Sequence, residues 1–173
     1  MEIDEKLRKI ELLLLDVDGV LTDGSINYDN NGNEIKCFSV KDGLGIRMLK
    51  DSGIEVGIIT GRSSEALLHR CRNLNIEHVF DGIKDKTIAL KDILSNFNLE
   101  SEKALFIGDD LPDIPVMKRV GVSVAVNDAH EEVKKIADIT TNNIGGKGAV
   151  REICEKILVS KQLFDGIIES YLR

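Results

Sequence analysis

Tryptophan is absent from this 173-residue chain, and aromatic residues make up only 4% of it. That argues against stacking platforms for nucleic-acid bases. Basic residues are in deficit as well: 23 Lys and Arg face 30 Asp and Glu, a net charge of −7. Such a surface repels a phosphate backbone, and no nucleic-acid partner is expected. The three cysteines, Cys37, Cys71 and Cys154, lie far apart and form no Cys-x-x-Cys pair. A disulfide framework or zinc knuckle is thereby disfavoured, and the thiols are read as reduced and mostly buried. Prolines number only two, Pro112 and Pro115. No apolar run approaches the roughly 20 residues of a membrane span. The charged start, Met1 to Glu11, also lacks the apolar core of a secretory signal. A soluble cytoplasmic protein with no membrane partner is expected.

What remains is an ordinary globular composition, 42% hydrophobic and 31% charged, at a length that suits one domain over residues 1–173. Short apolar runs recur, each closed by small or acidic residues: Leu12–Asp16, Val56–Thr60, Ala104–Gly108 and Val122–Val126, with a shorter one at His78–Phe80. Apolar without alternation, they suit strands buried on both faces, as in a parallel sheet. Helical periodicity lies between them. Leu44, Met48 and Leu49 follow a turn at Gly43; Ser63 and Ser64 precede Ala66, Leu67 and Cys71; Thr87 to Phe97 carries one stripe and Ala149 to Ile157 another. Strand and helix in alternation predict an α/β fold, a doubly wound parallel sheet flanked by helices. One segment breaks the rhythm. Ser25–Tyr28 and Glu34–Val40 around Asp29-Asn30-Asn31-Gly32-Asn33 read as a small β-hairpin after the first strand. Ligands in such sheets bind beyond the carboxyl ends of the strands, so the hairpin should stand over the site.

Asp16 and Asp18 leave the first strand two residues apart. Two like charges about 4 Å apart repel by roughly 4 kcal/mol at an effective dielectric near 20. Asp-x-Asp-Gly is also common turn chemistry. The second acidic strand end, Gly108-Asp109-Asp110 with Asp113 beyond it, tips the balance toward a cage of hard oxygens for a divalent cation. Asp113 reads as a helix cap or as support behind the ligands. Thr60-Gly61-Arg62 offers a hydroxyl and a cation for a phosphoryl group. Lys86 stands where a helix begins, against the helix dipole, so an anionic partner is expected. Lys84 competes with it, and chemistry alone leaves the two open. His69, His78 and His130 lack metal-ligand spacing.

Asp16-x-Asp18, Thr60, Lys86 and Gly108-Asp109-Asp110, in this order, resemble the four motifs of the haloacid dehalogenase superfamily. The longer strings Asp16–Gly24, Ser39–Gly43, Gly45-Ile46-Arg47 and Gly145–Glu152 resemble the 3-deoxy-D-manno-octulosonate 8-phosphate phosphatase family of capless sugar-acid phosphatases, which act in lipopolysaccharide synthesis. The resemblance implies a phosphatase in which Asp16 forms an aspartyl-phosphate and Asp18 serves as acid and then base. Thr60 and Lys86 would hold the phosphoryl oxygens. Asp16, Asp18 through its backbone carbonyl, Asp109 and Asp110 would bind Mg²⁺. Asp18, Ser39, Val40, Lys41, Asp42, Gly43, Arg47, Arg62, Arg70 and Lys86 would contact the phosphorylated sugar acid, with Arg70 equally readable as a solvated helix charge. The relatives are homotetramers whose neighbouring subunits close each site, so a homotetramer is implied. The flexible stretch Gly145–Gly148 or the C-terminal tail would supply the closure. An eight-carbon substrate is favoured by analogy, and a nine-carbon acid such as 2-keto-3-deoxynononate 9-phosphate stays open. A phosphoacceptor signalling domain is the rival class, though it would not carry an acidic pair after the lysine.

Overall fold

A computed structural model describes residues 2–173. In chain order the elements are α1 (Ile3–Arg8), β1 (Leu12–Leu15), β2 (Asn27–Tyr28), β3 (Glu34–Ile35), α2 (Val40–Asp51), β4 (Glu55–Ile59), α3 (Glu65–Asn73), β5 (His78–Phe80), α4 (Lys86–Phe97), β6 (Ala104–Gly108), α5 (Ile114–Met117), β7 (Val122–Ala125), α6 (Glu131–Ile136), β8 (Ile139–Thr140), α7 (Ala149–Ser160) and α8 (Phe164–Tyr171). Six strands form one parallel sheet in the order β5-β4-β1-β6-β7-β8, while β2 and β3 pair antiparallel on their own. The doubly wound sheet, the flanking helices, the small hairpin and the lack of a cap all agree with the reading of the sequence.

Strand β1 explains why the sheet is parallel. Leu12, Leu13, Leu14 and Leu15 are all fully buried, so both faces need helices over them. The register aligns Leu15 with Ile58 on one side and Ile107 on the other, which brings the ends of β1, β4 and β6 to one level. Winding outward from β1 first through β4 and β5, then back through β6, β7 and β8, puts the reversal of strand order between β1 and β6. At such a reversal the loops part and leave a crevice. Both acidic strand ends open into it.

Boundaries moved in places. The second hairpin strand stops at Ile35, well short of Val40, and α2 starts at Val40, ahead of the expected Gly43 turn. The cause is local: the Ser39 hydroxyl accepts the Asp42 N–H at 3.3 Å and caps the helix. Gly43 therefore lies inside α2. The residues expected to end strands, Asp16, Thr60 and Val126, fall just beyond them. Strand β8 and helices α1 and α8 were not anticipated; β8 has only two residues, whereas α8 does carry Phe164, Ile167, Ile168 and Tyr171 at helical spacing. His130, read as lying in an acidic helix start, proves to be the N-cap of α6.

Candidate active site

Asp16 is the first residue past β1, and its N–H still donates to the Ile107 carbonyl at 3.1 Å, as a ladder residue would. The chain then turns sharply. The Val17 carbonyl accepts the N–H groups of Val20, Leu21 and Thr22, and the buried Thr22 hydroxyl accepts the Gly24 N–H at 3.2 Å. Gly19, at φ +91°, makes the turn possible; a Cβ there would sit 2.1 Å from Asp109 Oδ2. Glycine thus lets the carboxylate after β6 close on the loop after β1.

Asp85 caps α4 by accepting the Thr87 N–H at 3.0 Å, which leaves Lys86 as the first helical residue. Only 7% exposed, Lys86 donates to Asp16 Oδ1 at 2.7 Å and to Asp113 Oδ1 at 2.6 Å. These are the anions its place against the helix dipole calls for. Lys84 is exposed, so the choice between the two lysines falls to Lys86. The other oxygen of Asp113 accepts the N–H of Asp109 at 2.9 Å and of Asp110 at 3.3 Å. Carboxylate oxygens of Asp16, Asp109 and Asp113 all lie within 4.8 Å of one another.

One lysine does not neutralise three carboxylates. Burial first, then the charge of Asp113, raises Asp16 to about 6 against the pull of Lys86. Burial, and next the charges of Asp16, Asp113 and Asp110, push Asp109 up to about 8. On Lys86 burial acts downward, but Asp16 and Asp113 outweigh it and the ammonium is held charged. A cluster of hard oxygens short of positive charge fits a divalent cation such as Mg²⁺.

Asp110 is placed differently from the sequence expectation. It is exposed, and its carboxylate accepts the Leu111 N–H at 2.8 Å, capping the short turn Leu111–Asp113. Asp113, read from sequence as cap or support, is the carboxylate that joins the cluster. Asp18 turns away from it: Lys36 donates to Asp18 Oδ1, and Arg62 Nε lies 3.6 Å from Asp18 Oδ2. Arg62 also donates to Glu34 at 2.9 Å, and Lys36 to Glu34 at 3.2 Å. Glu34 and Lys36, on the hairpin, escaped the sequence reading. Their signal was an inverted alternation, in which Glu34 and Lys36 turn inward while Ile35 and Cys37 are exposed. Thr60 is buried at the end of β4, and with Asp16, Asp18, Arg62, Lys86, Asp109, Asp110 and Asp113 it lines a cleft of about 250 Å³.

Apart from Arg62, the residues assigned to the sugar end do not line this cleft. Asp42 is 1% exposed and accepts the N–H groups of Gly148 at 3.3 Å and Arg151 at 2.8 Å, at the start of α7. Arg70 donates to the Ser39 carbonyl at 3.0 Å and lies over the Phe38 ring, filling the space beside Gly43. Arg47 donates to the Asn73 carbonyl at 3.1 Å. Ser39, Val40 and Lys41 border a separate cavity of about 410 Å³ with Asp23, Gly146 and Lys147. Nor is Gly145–Gly148 built as a loose flap. A Cβ on Gly145 would stand 1.7 Å from the Gly19 carbonyl oxygen, and the Gly146 N–H donates to Val20 at 2.9 Å. Close backbone docking on the Asp16–Gly24 loop, rather than mobility, requires glycine there.

Residues 78–153 match the haloacid dehalogenase-like hydrolase family. The 3-deoxy-D-manno-octulosonate 8-phosphate phosphatase of Escherichia coli K12 is 47% identical over 95% of this chain and 87% of its own length. The chain belongs to the 3-deoxy-D-manno-octulosonate 8-phosphate phosphatase family. Among solved structures, the Yersinia pestis phosphatase superposes with a TM-score of 0.94 at 44% identity, over 95% of this chain and 89% of that one. The Moraxella catarrhalis phosphatase, in complex with magnesium, phosphate and KDO, gives a TM-score of 0.96 at 41% identity, over 98% and 97% of the two chains. The cleft of this phosphatase family member is the crevice at the strand reversal, with the hairpin charges at its mouth.

Proposed function

We propose that this chain is a Mg²⁺-dependent phosphatase that converts 3-deoxy-D-manno-octulosonate 8-phosphate to the free sugar acid and phosphate. The observation that carries the reading is Asp16 at the cleft floor, its Oδ1 fixed by Lys86 and its neighbour Asp109 held close. Asp16 attacks phosphorus as the bond to the sugar oxygen breaks, giving an aspartyl-phosphate. Asp18 delivers a proton to the leaving oxygen and then takes one from the water that releases phosphate. The Thr60 hydroxyl and the Lys86 ammonium hold the phosphoryl oxygens. Asp16, Asp109 and the backbone carbonyl of Asp18 hold Mg²⁺, with Asp110 bracing the turn beside them. Bound there, Mg²⁺ neutralises charge on the carboxylates and the transferred group. Asp113 orients Lys86 and the Asp109 backbone.

The sugar end is assigned to Arg62 within the cleft and to Ser39, Val40, Lys41, Arg47 and Arg70 outside it, whereas Asp42 and Gly43 are buried in their own chain and serve α2 and the start of α7. Since the five outside do not border the cleft of their own chain, they serve a homotetramer in which a neighbouring subunit completes each site. Exposed Ile26, Tyr28, Ile35 and Val40 along the hairpin and its exit support such an assembly, Val40 being 83% exposed. Among the described residues no helix is long and apolar enough to cross a membrane, and all three cysteines are free thiols, which supports a cytoplasmic enzyme of one domain.

The decisive experiment is Asp16→Asn, assayed for phosphate release with Mg²⁺ over many turnovers. Release should vanish while the far-UV circular dichroism stays that of the wild type. Retained turnover in the variant would remove Asp16 from the reaction, and a wild type that stops after one phosphoryl group would make the chain a phosphoacceptor. Ranking kcat/KM across eight- and nine-carbon sugar-acid phosphates tests the substrate.

A further inference from the structure

Four charges from three separate segments meet at the cleft mouth: Asp18 from the loop after β1, Arg62 from the loop after β4, and Glu34 and Lys36 from the hairpin. They are balanced, two anions and two cations. Lys36 stands out among them because its side chain is 1% exposed although both neighbours, Ile35 and Cys37, face solvent. Burying the ammonium of a flexible lysine costs free energy that one surface contact does not recover. Here the ammonium donates to two carboxylates, Asp18 Oδ1 and Glu34 Oε1. Glu34 in turn accepts from Arg62, so the hairpin is tied to the loop after β4 through Glu34 and to the loop after β1 through Lys36.

The two oxygens of Asp18 end up unequal. Oδ1 is engaged by Lys36, whereas Oδ2 is shielded from water and has no hydrogen-bond partner, with Arg62 Nε 3.6 Å away. A buried carboxylate oxygen without a partner is rare and calls for an explanation. We propose that Lys36 is a positioning residue that anchors Asp18 through Oδ1 and thereby assigns Oδ2 as the atom that exchanges the proton with the leaving sugar oxygen. The inference rests on the phosphatase reading and on Asp18 acting as acid within it. In the first step the Oδ2–H bond breaks and its proton passes to the sugar oxygen, while the P–O bond to the sugar breaks and the bond from Asp16 to phosphorus forms. Without the anchor, Asp18 rotates about its side-chain bonds, and the proton is no longer in line with the leaving oxygen.

The test separates positioning from mere support of the fold by varying the leaving group. A sugar alkoxide needs that proton; p-nitrophenolate leaves without it. We therefore compare kcat/KM, which reports steps up to formation of the aspartyl-phosphate, for wild type, Lys36→Met and Lys36→Arg. The substrates are p-nitrophenyl phosphate and a primary sugar phosphate that the wild type turns over, the eight-carbon sugar-acid phosphate on the present reading. Lys36→Met should lose about 100-fold on the sugar phosphate, the lower end of what a positioned acid supplies. Its loss on p-nitrophenyl phosphate should stay within about threefold, and Lys36→Arg should recover part of the sugar-phosphate rate. Parallel losses on both substrates, or no loss on the sugar phosphate, overturn the proposal. A wild type inert toward the eight-carbon substrate but active on other sugar phosphates would instead overturn the substrate reading and leave this comparison intact.

Discussion

Lys86→Met is the sharpest probe of the cleft floor, because it keeps a side chain of similar length and deletes only the charge. At 2.7 Å from Asp16 and 2.6 Å from Asp113, each contact is worth about 6 kcal/mol of Coulomb attraction at an effective dielectric near 20, most of it offset by desolvation. Removing one partner of such a buried pair costs about 3–5 kcal/mol, because the other charge is left uncompensated. With an m-value of about 2 kcal/mol/M, the urea midpoint should fall by about 1.5–2.5 M. Since the chain has no Trp, far-UV circular dichroism is the appropriate signal. The sign of the pH dependence follows from the raised carboxylates. Asp16 and Asp109 move up from 3.8 to about 6 and about 8, so the metal-free fold binds more protons than the unfolded chain in that range. Stability from these groups is complete below about pH 4 and is lost as pH rises through about 6 and then 8, by up to about 1.4 kcal/mol per pH unit for each group. The deficit of Lys86→Met should therefore be largest near pH 8 in EDTA, and Mg²⁺ should raise the wild-type midpoint more at pH 8 than at pH 5. An unchanged urea midpoint at pH 8, or a deficit that grows toward acid, would refute the electrostatic account of this cluster.

The carboxylates after β6 should separate in the same way. Asp113→Ala leaves Lys86 with Asp16 as its one anion and leaves the Asp109 and Asp110 N–H groups without their acceptor. It should therefore destabilise by about 3 kcal/mol and weaken Mg²⁺ activation about 10- to 100-fold, whereas Asp110→Ala loses a cap worth about 1 kcal/mol. Urea midpoints and Mg²⁺ titrations of activity distinguish these outcomes, and equal effects would contradict the placement of Asp113 in the cluster. Asp42→Ala leaves the Gly148 and Arg151 N–H groups without their acceptor, so calorimetry should show a loss of about 2 kcal/mol, or a melting temperature about 4–8 °C lower. An unchanged melting temperature with a raised KM would return Asp42 to direct substrate contact.

The sheet and most of the cleft could be read from the sequence because both depend on local patterns. Leu12–Leu15 is too apolar to be anything but a strand covered on both sides, and the carboxylates that follow it and Ala104–Gly108 mark the ends that share an edge. Lys86 was legible through a local conflict, a cation at a helix start. What escaped depends on contacts distant in sequence. Nothing around Asp42 reveals that its carboxylate caps a helix more than a hundred residues away, at Gly148 and Arg151. Gly145–Gly148 looks flexible in one dimension and proves to be tightly docked in three, because the reason for glycine is the backbone of Gly19 pressed against it. The hairpin was placed correctly over the site, yet its role stayed hidden, since a short strand with charges inward and apolar residues outward inverts the pattern by which strands are recognised.

Charge arithmetic within the cleft also dictates when phosphate binding needs the cation. Once Asp16, Asp109 and Asp113 are all ionised, which takes a pH above about 8, the floor sets three negative charges against Lys86 alone, a deficit of two. The mouth holds Asp18 and Glu34 against Lys36 and Arg62 and is balanced. A phosphate dianion approaching the cluster with all three carboxylates ionised would meet like charge at its deepest point, where low dielectric makes repulsion strongest. A doubly charged cation cancels the deficit and leaves the lysine, the arginine and the threonine hydroxyl as the groups the incoming oxygens encounter. Above about pH 8, phosphate binding should therefore depend on Mg²⁺, while at lower pH protons held by Asp16 and Asp109 offset part of the deficit. Calorimetric titration of phosphate with Mg²⁺ and with EDTA checks this. The balanced mouth then serves a different end from the floor: it adds no net field to steer the anion, but it holds Asp18 and Arg62 in place until the sugar end arrives.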